Sequence, residues 1–186
     1  MPEVTHRRTP TDNRSATQPR DSHDDPSRSY RHAEDRAGGD QKRTWQEKGK
    51  DGAVHDKSSE SKHKDGTTTV RTSDQWKDRT GDHTKTSESV KSHNKYDGST
   101  STKTTDVTRT DKKDGSSFEN KKETNTTRHH DGSSSTSKSN TDTTIKRDGS
   151  TTIKTSTTTE NRDSTGKVTD SSTKNSSSTS SNQWGI

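Results

Sequence analysis

The sequence predicts a mostly intrinsically disordered, low-complexity chain. Its one structured alternative is a polar β-hairpin or meander repeat array that lacks a conventional hydrophobic core. Three observations lead there. Of 186 residues only 11% are hydrophobic and 34% are charged, with a mean hydropathy of -1.78, a composition with too little apolar surface to offset the entropy of ordering a backbone. There is no Leu and no Cys, and between residues 97 and 168 the apolar side chains are Val107, Phe118, Ile145, Ile153 and Val168. Glycines recur at a fixed interval through the Ser/Thr-rich part, the signature of internal duplication.

Residues 1–63 form the first region, a disordered polyampholyte. All four prolines lie in its first 26 residues. Residues 27–50, "SRSYRHAEDRAGGDQKRTWQEKGK", hold the best helix formers, but Gly38 and Gly39 split them. Tyr30, Ala33 and Ala37 give one weak i, i+3, i+7 stripe, so the expectation there is at most a transient helix.

From residue 64 Ser and Thr rise to 53 of 123 residues, against 12 of 63 before it. This second region, 64–181, is built of Asp-Gly repeats of about 17 residues, and residues 182–186 are a short tail. Gly98, Gly115, Gly132, Gly149 and Gly166 stand 17 residues apart, and Gly81 and Gly66 precede them at intervals of 17 and 15. The pairs Asp65–Gly66, Asp97–Gly98, Asp114–Gly115, Asp131–Gly132 and Asp148–Gly149, together with Gly166, are the predicted repeat turns. Asp-Gly is a two-residue hairpin signal of type I′, because Gly accepts positive φ without a Cβ clash. The Thr-rich flanks suit strands, since β-branched side chains fit a pleated surface.

A solenoid core would need apolar residues at one place in every repeat. Counted from the Asp of each Asp-Gly, Val70 and Ile153 sit at position six, Val107 at eleven, Phe118 at five and Ile145 at fifteen. No shared interior follows. Runs such as "STSTKTT" and "TTIKTSTTT" resemble the Thr arrays of ice-binding β-solenoids over short windows only, and the wandering apolar positions argue against that scaffold.

The charges, 34 Lys and Arg against 29 Asp and Glu, are interspersed, and the net +5 predicts only weak attraction to an anionic polymer. The amino terminus has no secretory-signal pattern and no segment approaches a membrane span. The expectation is an intracellular chain with no membrane association, in cytoplasm or nucleus alike.

Motif by motif, polar turns account for the chemistry-bearing residues. Asn161, Asp163, Thr165, Gly166 and Val168 follow the opening of an EF-hand calcium loop, but Ser172 stands where its closing Glu belongs. "STGKV" matches the end of a phosphate-binding loop and fails at Asn161 and Val168. His129 and His130 beside Asp131 lack the further ligands of a metal site. No rigid catalytic constellation can be defended, so neither an enzyme, nor a cofactor, nor a small-molecule substrate is expected.

Candidate phosphosites are Thr9, before Pro10, and Ser22, Ser116, Ser139 and Thr157, each with an acidic residue three positions on. Each phosphate adds about -1.5 to -2 charge. The aromatics Tyr30, Trp45, Trp76, Tyr96, Phe118 and Trp184 read as the residual hydrophobes of an expanded chain.

Three functions follow from this reading. The first is a non-enzymatic spacer, matrix or stress-protective hydrated chain; with 12 Gly in 186 residues the composition is similar to that of hydrophilins, a resemblance that implies desiccation protection. The second is a phosphorylation-regulated module docking on nucleic acid, another anionic polymer or a cytoskeletal surface. The third is a Thr-rich β-array that self-assembles.

Overall fold

The structure, a computed structural model, describes residues 28–35, 40–50 and 52–181. They form ten strands: β1 (Arg28–Asp35), β2 (Gln41–Lys48), β3 (Val54–Lys64), β4 (Thr67–Lys77), β5 (Gly81–His93), β6 (Thr100–Lys112), β7 (Ser117–Arg128), β8 (Ser134–Ile145), β9 (Thr151–Arg162) and β10 (Val168–Ser180). The strands pair antiparallel in chain order, β1 to β10, in one sheet. Each strand touches only its sequence neighbours.

The described residues therefore follow the polar meander, the alternative of the two fold expectations, and not the disordered one. Counting apolar side chains missed the source of order. In a meander every inner strand has both backbone edges hydrogen-bonded, and those bonds need no buried side chain. Among the described residues no hydrophobic and no polar side chain is buried, so the sheet has no core on either face. Gly81 is the one buried position among the residues whose burial is described.

The segment read as a transient helix carries β1 and β2 instead, with Tyr30 opposite Trp45. Its stripe was too weak to hold a helix against the pairing that a neighbouring strand offers. The sheet also runs without a break across residue 63, through β3 and its partner β4.

One strand and one turn make up each 17-residue unit. The turns differ from the predicted type I′ at all but one of the Asp-Gly pairs. At Asp65–Gly66 both residues have positive φ, 50° and 75°, and Lys64 pairs with Thr67, which is the two-residue I′ loop. Elsewhere only the Gly is left-handed. In the β6–β7 turn Gly115 N–H donates to Lys112 O at 3.1 Å and Lys112 N–H to Ser116 O at 2.8 Å, with Gly115 at φ 85°. That is a three-residue loop, a type I turn closed by a glycine bulge. The same pair of bonds closes His129 on Ser133, Lys146 on Ser150 and Asp163 on Lys167. The Gly98 loop is one residue longer, running from Asn94 to Ser99.

Register is weakly specified when neither face is buried. Here most opposed charges are of unlike sign and favour the observed register, Asp82 opposite Asp111 being an exception. Lys42 stands opposite Glu60, Glu60 opposite Arg71 and Arg71 opposite Glu88, so one row alternates in sign across β2 to β5. Lys57 opposes Asp74, Asp74 opposes Lys85, and Asp142 opposes Lys154. Directly opposed unlike charges contribute about 0.2–1 kcal/mol each, and a one-residue slip would lose them all. Thr–Thr contacts add to this at Thr141–Thr155, 3.1 Å, and Thr158–Thr173, 3.1 Å.

Candidate interaction surface

Following the register across the strands gives one aromatic row. His55 in β3 aligns with Trp76 in β4, His83 in β5, Thr110 in β6 and Phe118 in β7. The rings of His55 and Trp76 stack at 4.7 Å and 16°, and those of Trp76 and His83 at 4.9 Å and 9°. Their spacing matches the separation of neighbouring strands.

Each imidazole is pinned by a carboxylate. His55 Nδ1 lies 2.9 Å from Asp74 Oδ1, and His83 Nε2 lies 3.0 Å from Asp78 Oδ1. His83 Nδ1 also faces Thr110 Oγ1 at 3.1 Å. The two imidazole side chains keep only 14% and 13% of their exposure, so the ladder covers its own rings on an otherwise open surface. By sequence Trp76 is a lone residual hydrophobe; the register gives it two stacking partners, and nothing in its local sequence points to either.

The turn between β4 and β5 supports the ladder. Asp78 Oδ1 accepts from Thr80 Oγ1 at 2.6 Å, from Thr80 N–H at 2.7 Å and from Gly81 N–H at 3.1 Å. The Thr80 hydroxyl first, then His83 and the Thr80 amide, hold the Asp78 carboxyl far below the ordinary carboxylate range. Gly81 enters β5 so close to β6 that an added Cβ would lie 2.1 Å from Asp111 O.

The predicted turns at Asp97, Asp114, Asp131 and Asp148, and the turn at Gly166, are capped in the same way; for Asp65 no such cap is seen. Ser116 N–H and Oγ donate to Asp114 Oδ1 at 2.9 and 2.6 Å, and Ser133 does the same to Asp131 at 2.9 and 2.7 Å. Ser99 and Ser150 N–H donate to Asp97 and Asp148, each at 2.8 Å. Asp163 accepts from Thr165 N–H and Oγ1 and from Lys167 N–H. Hydroxyl donation first, with the amides, lowers the pKa of Asp97, Asp114, Asp131, Asp148 and Asp163. The functional unit of the repeat is thus Asp-Gly-Ser rather than Asp-Gly, a signal visible in the sequence at 97–99, 114–116, 131–133 and 148–150. The turn at Gly52, φ 82°, which closes Gly49 on Ala53, was also missed; its Asp-Gly sits outside the region where the glycines fall into step.

Two candidate phosphosites come together. Ser139 and Thr157 are directly opposed across β8 and β9, with Thr157 Oγ1 donating to Ser139 Oγ at 3.2 Å. Beyond them in the same row stand Glu123 next to Ser139 and Lys174 next to Thr157. Ser116 stands apart at its turn, while Thr9 and Ser22 lie outside the described residues, as do Trp184 and the tail at 182–186.

A shallow cavity of about 550 Å³ opens at the rim between the Lys112–Ser116 and Lys146–Ser150 turns, lined by Phe118 and by Lys112, Lys146 and Arg147. His129 and His130 belong to the β7–β8 turn, where His130 packs against Gly98; among the described residues no His, Asp or Glu cluster has the makings of a metal site. No helix among them is long and apolar enough to cross a membrane. No protein-family model matches the chain, and neither a curated protein nor a solved structure matches it.

Proposed function

We propose that the protein is a non-enzymatic structural spacer, a hydrated, single-layer sheet that holds its ends at a set distance. One observation carries this reading: strands pair strictly in chain order with no core beneath them. Such a sheet lengthens by one strand per repeat, and its span is set by repeat number. Nine interstrand steps of ~4.8 Å give about 43 Å from β1 to β10. Both polar faces stay in water, which suits a matrix or protective role.

The chain has no Cys, so two spin labels can be placed cleanly, at Ser59→Cys and Ser177→Cys. Deleting residues 131–164, two repeats, is expected to shorten the label distance by about 10 Å and leave the β spectrum intact. A broad, coil-like distance distribution, or a distance that does not change with the deletion, would refute the spacer.

Docking on an anionic polymer is a second reading, favoured by the rim cavity where Lys112, Lys146 and Arg147 flank Phe118 and outnumber the one carboxylate of the lining, Asp114. A base can stack on an exposed ring while cations hold the backbone. Three phosphate contacts predict a log–log salt slope of about -2 for a single-stranded oligonucleotide. Absence of binding at low salt would end this reading.

A further inference from the structure

Among the described residues the sheet order ends at β10, which pairs there with β9 on one side only. All thirteen residues of β10, "VTDSSTKNSSSTS", are exposed. They include no Pro, and the register shift between Val168 and Asp170 lies at the start, leaving a long flat edge. Unpaired edges of this kind are templates for another strand. Within the chain, every such edge between β2 and β9 is filled by the neighbouring strand.

Two charges on β10 have no ionic counterpart across β9. Asp170 stands opposite Asn161 and Lys174 opposite Thr157. The two residues are four apart, so they lie on the same face of the strand. An antiparallel copy of β10 centred on Ser172 would place Asp170 opposite Lys174 of the second chain, and Lys174 opposite its Asp170. The same device acts inside the sheet, where the directly opposed Arg71 and Glu88 pair at 2.9 Å and Lys77 and Asp82 at 2.9 Å.

We propose that two copies of this chain join edge to edge through β10, antiparallel and two-fold symmetric about Ser172, so that Val168–Ser176 of each copy pair with one another. Backbone hydrogen bonds supply the attraction, and the two Asp170–Lys174 contacts choose the register. The proposal goes beyond the spacer reading, which needs only one chain. It would give a continuous sheet of twice the strand number with β1 at both ends.

The test uses the full-length chain and its lack of native cysteine. Sedimentation velocity is expected to show the mass of two chains rather than the 20.6 kDa of one. Lys174→Asp places like charges opposite each other twice and should weaken the dimer at least about tenfold. The double exchange Asp170→Lys with Lys174→Asp should restore it. Under mild oxidation S172C should cross-link efficiently, because directly opposed Cα atoms ~4.5–5.5 Å apart suit a disulfide. S178C, which lies beyond the paired stretch, should not.

A monomer at high concentration would overturn the proposal while leaving the single-chain label distances of the spacer test untouched. An open-ended polymer, a dimer indifferent to Lys174→Asp, or one cross-linked equally through S178C would overturn this edge and register.

Discussion

Replacing Gly81 by Ala tests the central claim that order here comes from backbone pairing alone. An ideal Cβ at this position lies 2.1 Å from Asp111 O, 2.9 Å from Asp111 C and 3.0 Å from Lys112 Cα. All three are backbone atoms, so no side chain can swing away to make room. Either β6 withdraws, or the end of the β5–β6 pairing opens. Overpacking of this kind costs about 1–3 kcal/mol. Opening the Gly81–Lys112 and Asp82–Asp111 pairs gives up about two net hydrogen bonds, again about 1–3 kcal/mol. At roughly 2–4 °C per kcal/mol for a chain of this size, the thermal midpoint should fall by several degrees. Amide exchange should quicken at Asp82 and Asp111 and stay unchanged in β8 to β10, since strands interact only with their neighbours. Gly115→Asn is the contrast: nothing lies within 4 Å of its added Cβ, and Asn tolerates the left-handed region, so the loss should stay below about 1 kcal/mol. Gly81→Asn should be as damaging as Gly81→Ala. Wild-type values of both the midpoint and the exchange pattern in Gly81→Ala would show that the close approach of β5 to β6 at Gly81 does not limit stability.

Trp76→Ala removes two ring stacks at once, and at about 0.5–1.5 kcal/mol each the urea midpoint should shift by the equivalent of about 1–3 kcal/mol. The capped aspartates set the acid limit. Their folded pKa values lie below the ordinary 3.8, so the stability they contribute is present above that value and is lost as pH falls through the lower, folded one. Circular dichroism should accordingly show the turns loosening only below about pH 4, and Asp114→Asn combined with Asp131→Asn and Asp163→Asn should flatten that acid transition. For the candidate phosphosites the register makes unequal predictions: Ser139→Glu sets a carboxylate opposite Glu123 and should destabilise by about 0.2–1 kcal/mol, whereas Thr157→Glu faces Lys174 and should be neutral or stabilising in the same denaturation assay. A glutamate at 116 should be worse placed, because Ser116 Oγ is a donor to Asp114 at 2.6 Å; the β6–β7 amides should then exchange faster.

Much of the architecture was legible in the glycine spacing. Gly115, Gly132, Gly149 and Gly166 each end one strand unit, and the Thr-rich stretches between them are the strands. The turn type was not legible, since both the I′ loop and the bulged type I turn want a left-handed Gly, and which one forms depends on how many residues the flanking strands leave unpaired. The wandering of the apolar positions argues against a shared solenoid interior. In the sheet it has a simpler meaning. The register puts Val70 and Phe118 on one face and Val107, Ile145 and Ile153 on the other. With neither face buried, nothing required them to align.

Composition and glycine spacing already exclude a conventional core, space the turns and show that charges of both signs are interspersed. These are properties of composition and local order, carried by each residue wherever its partners stand. Only the tertiary structure decided which residues meet. His55, Trp76 and His83 form a ladder, and Ser139 faces Thr157, because pairing distances along a sheet are set by the summed preferences of whole strands. A two-sided polar strand has no buried face to announce that choice in its own residues. Opposed charges make it instead, and they act only once two strands lie side by side.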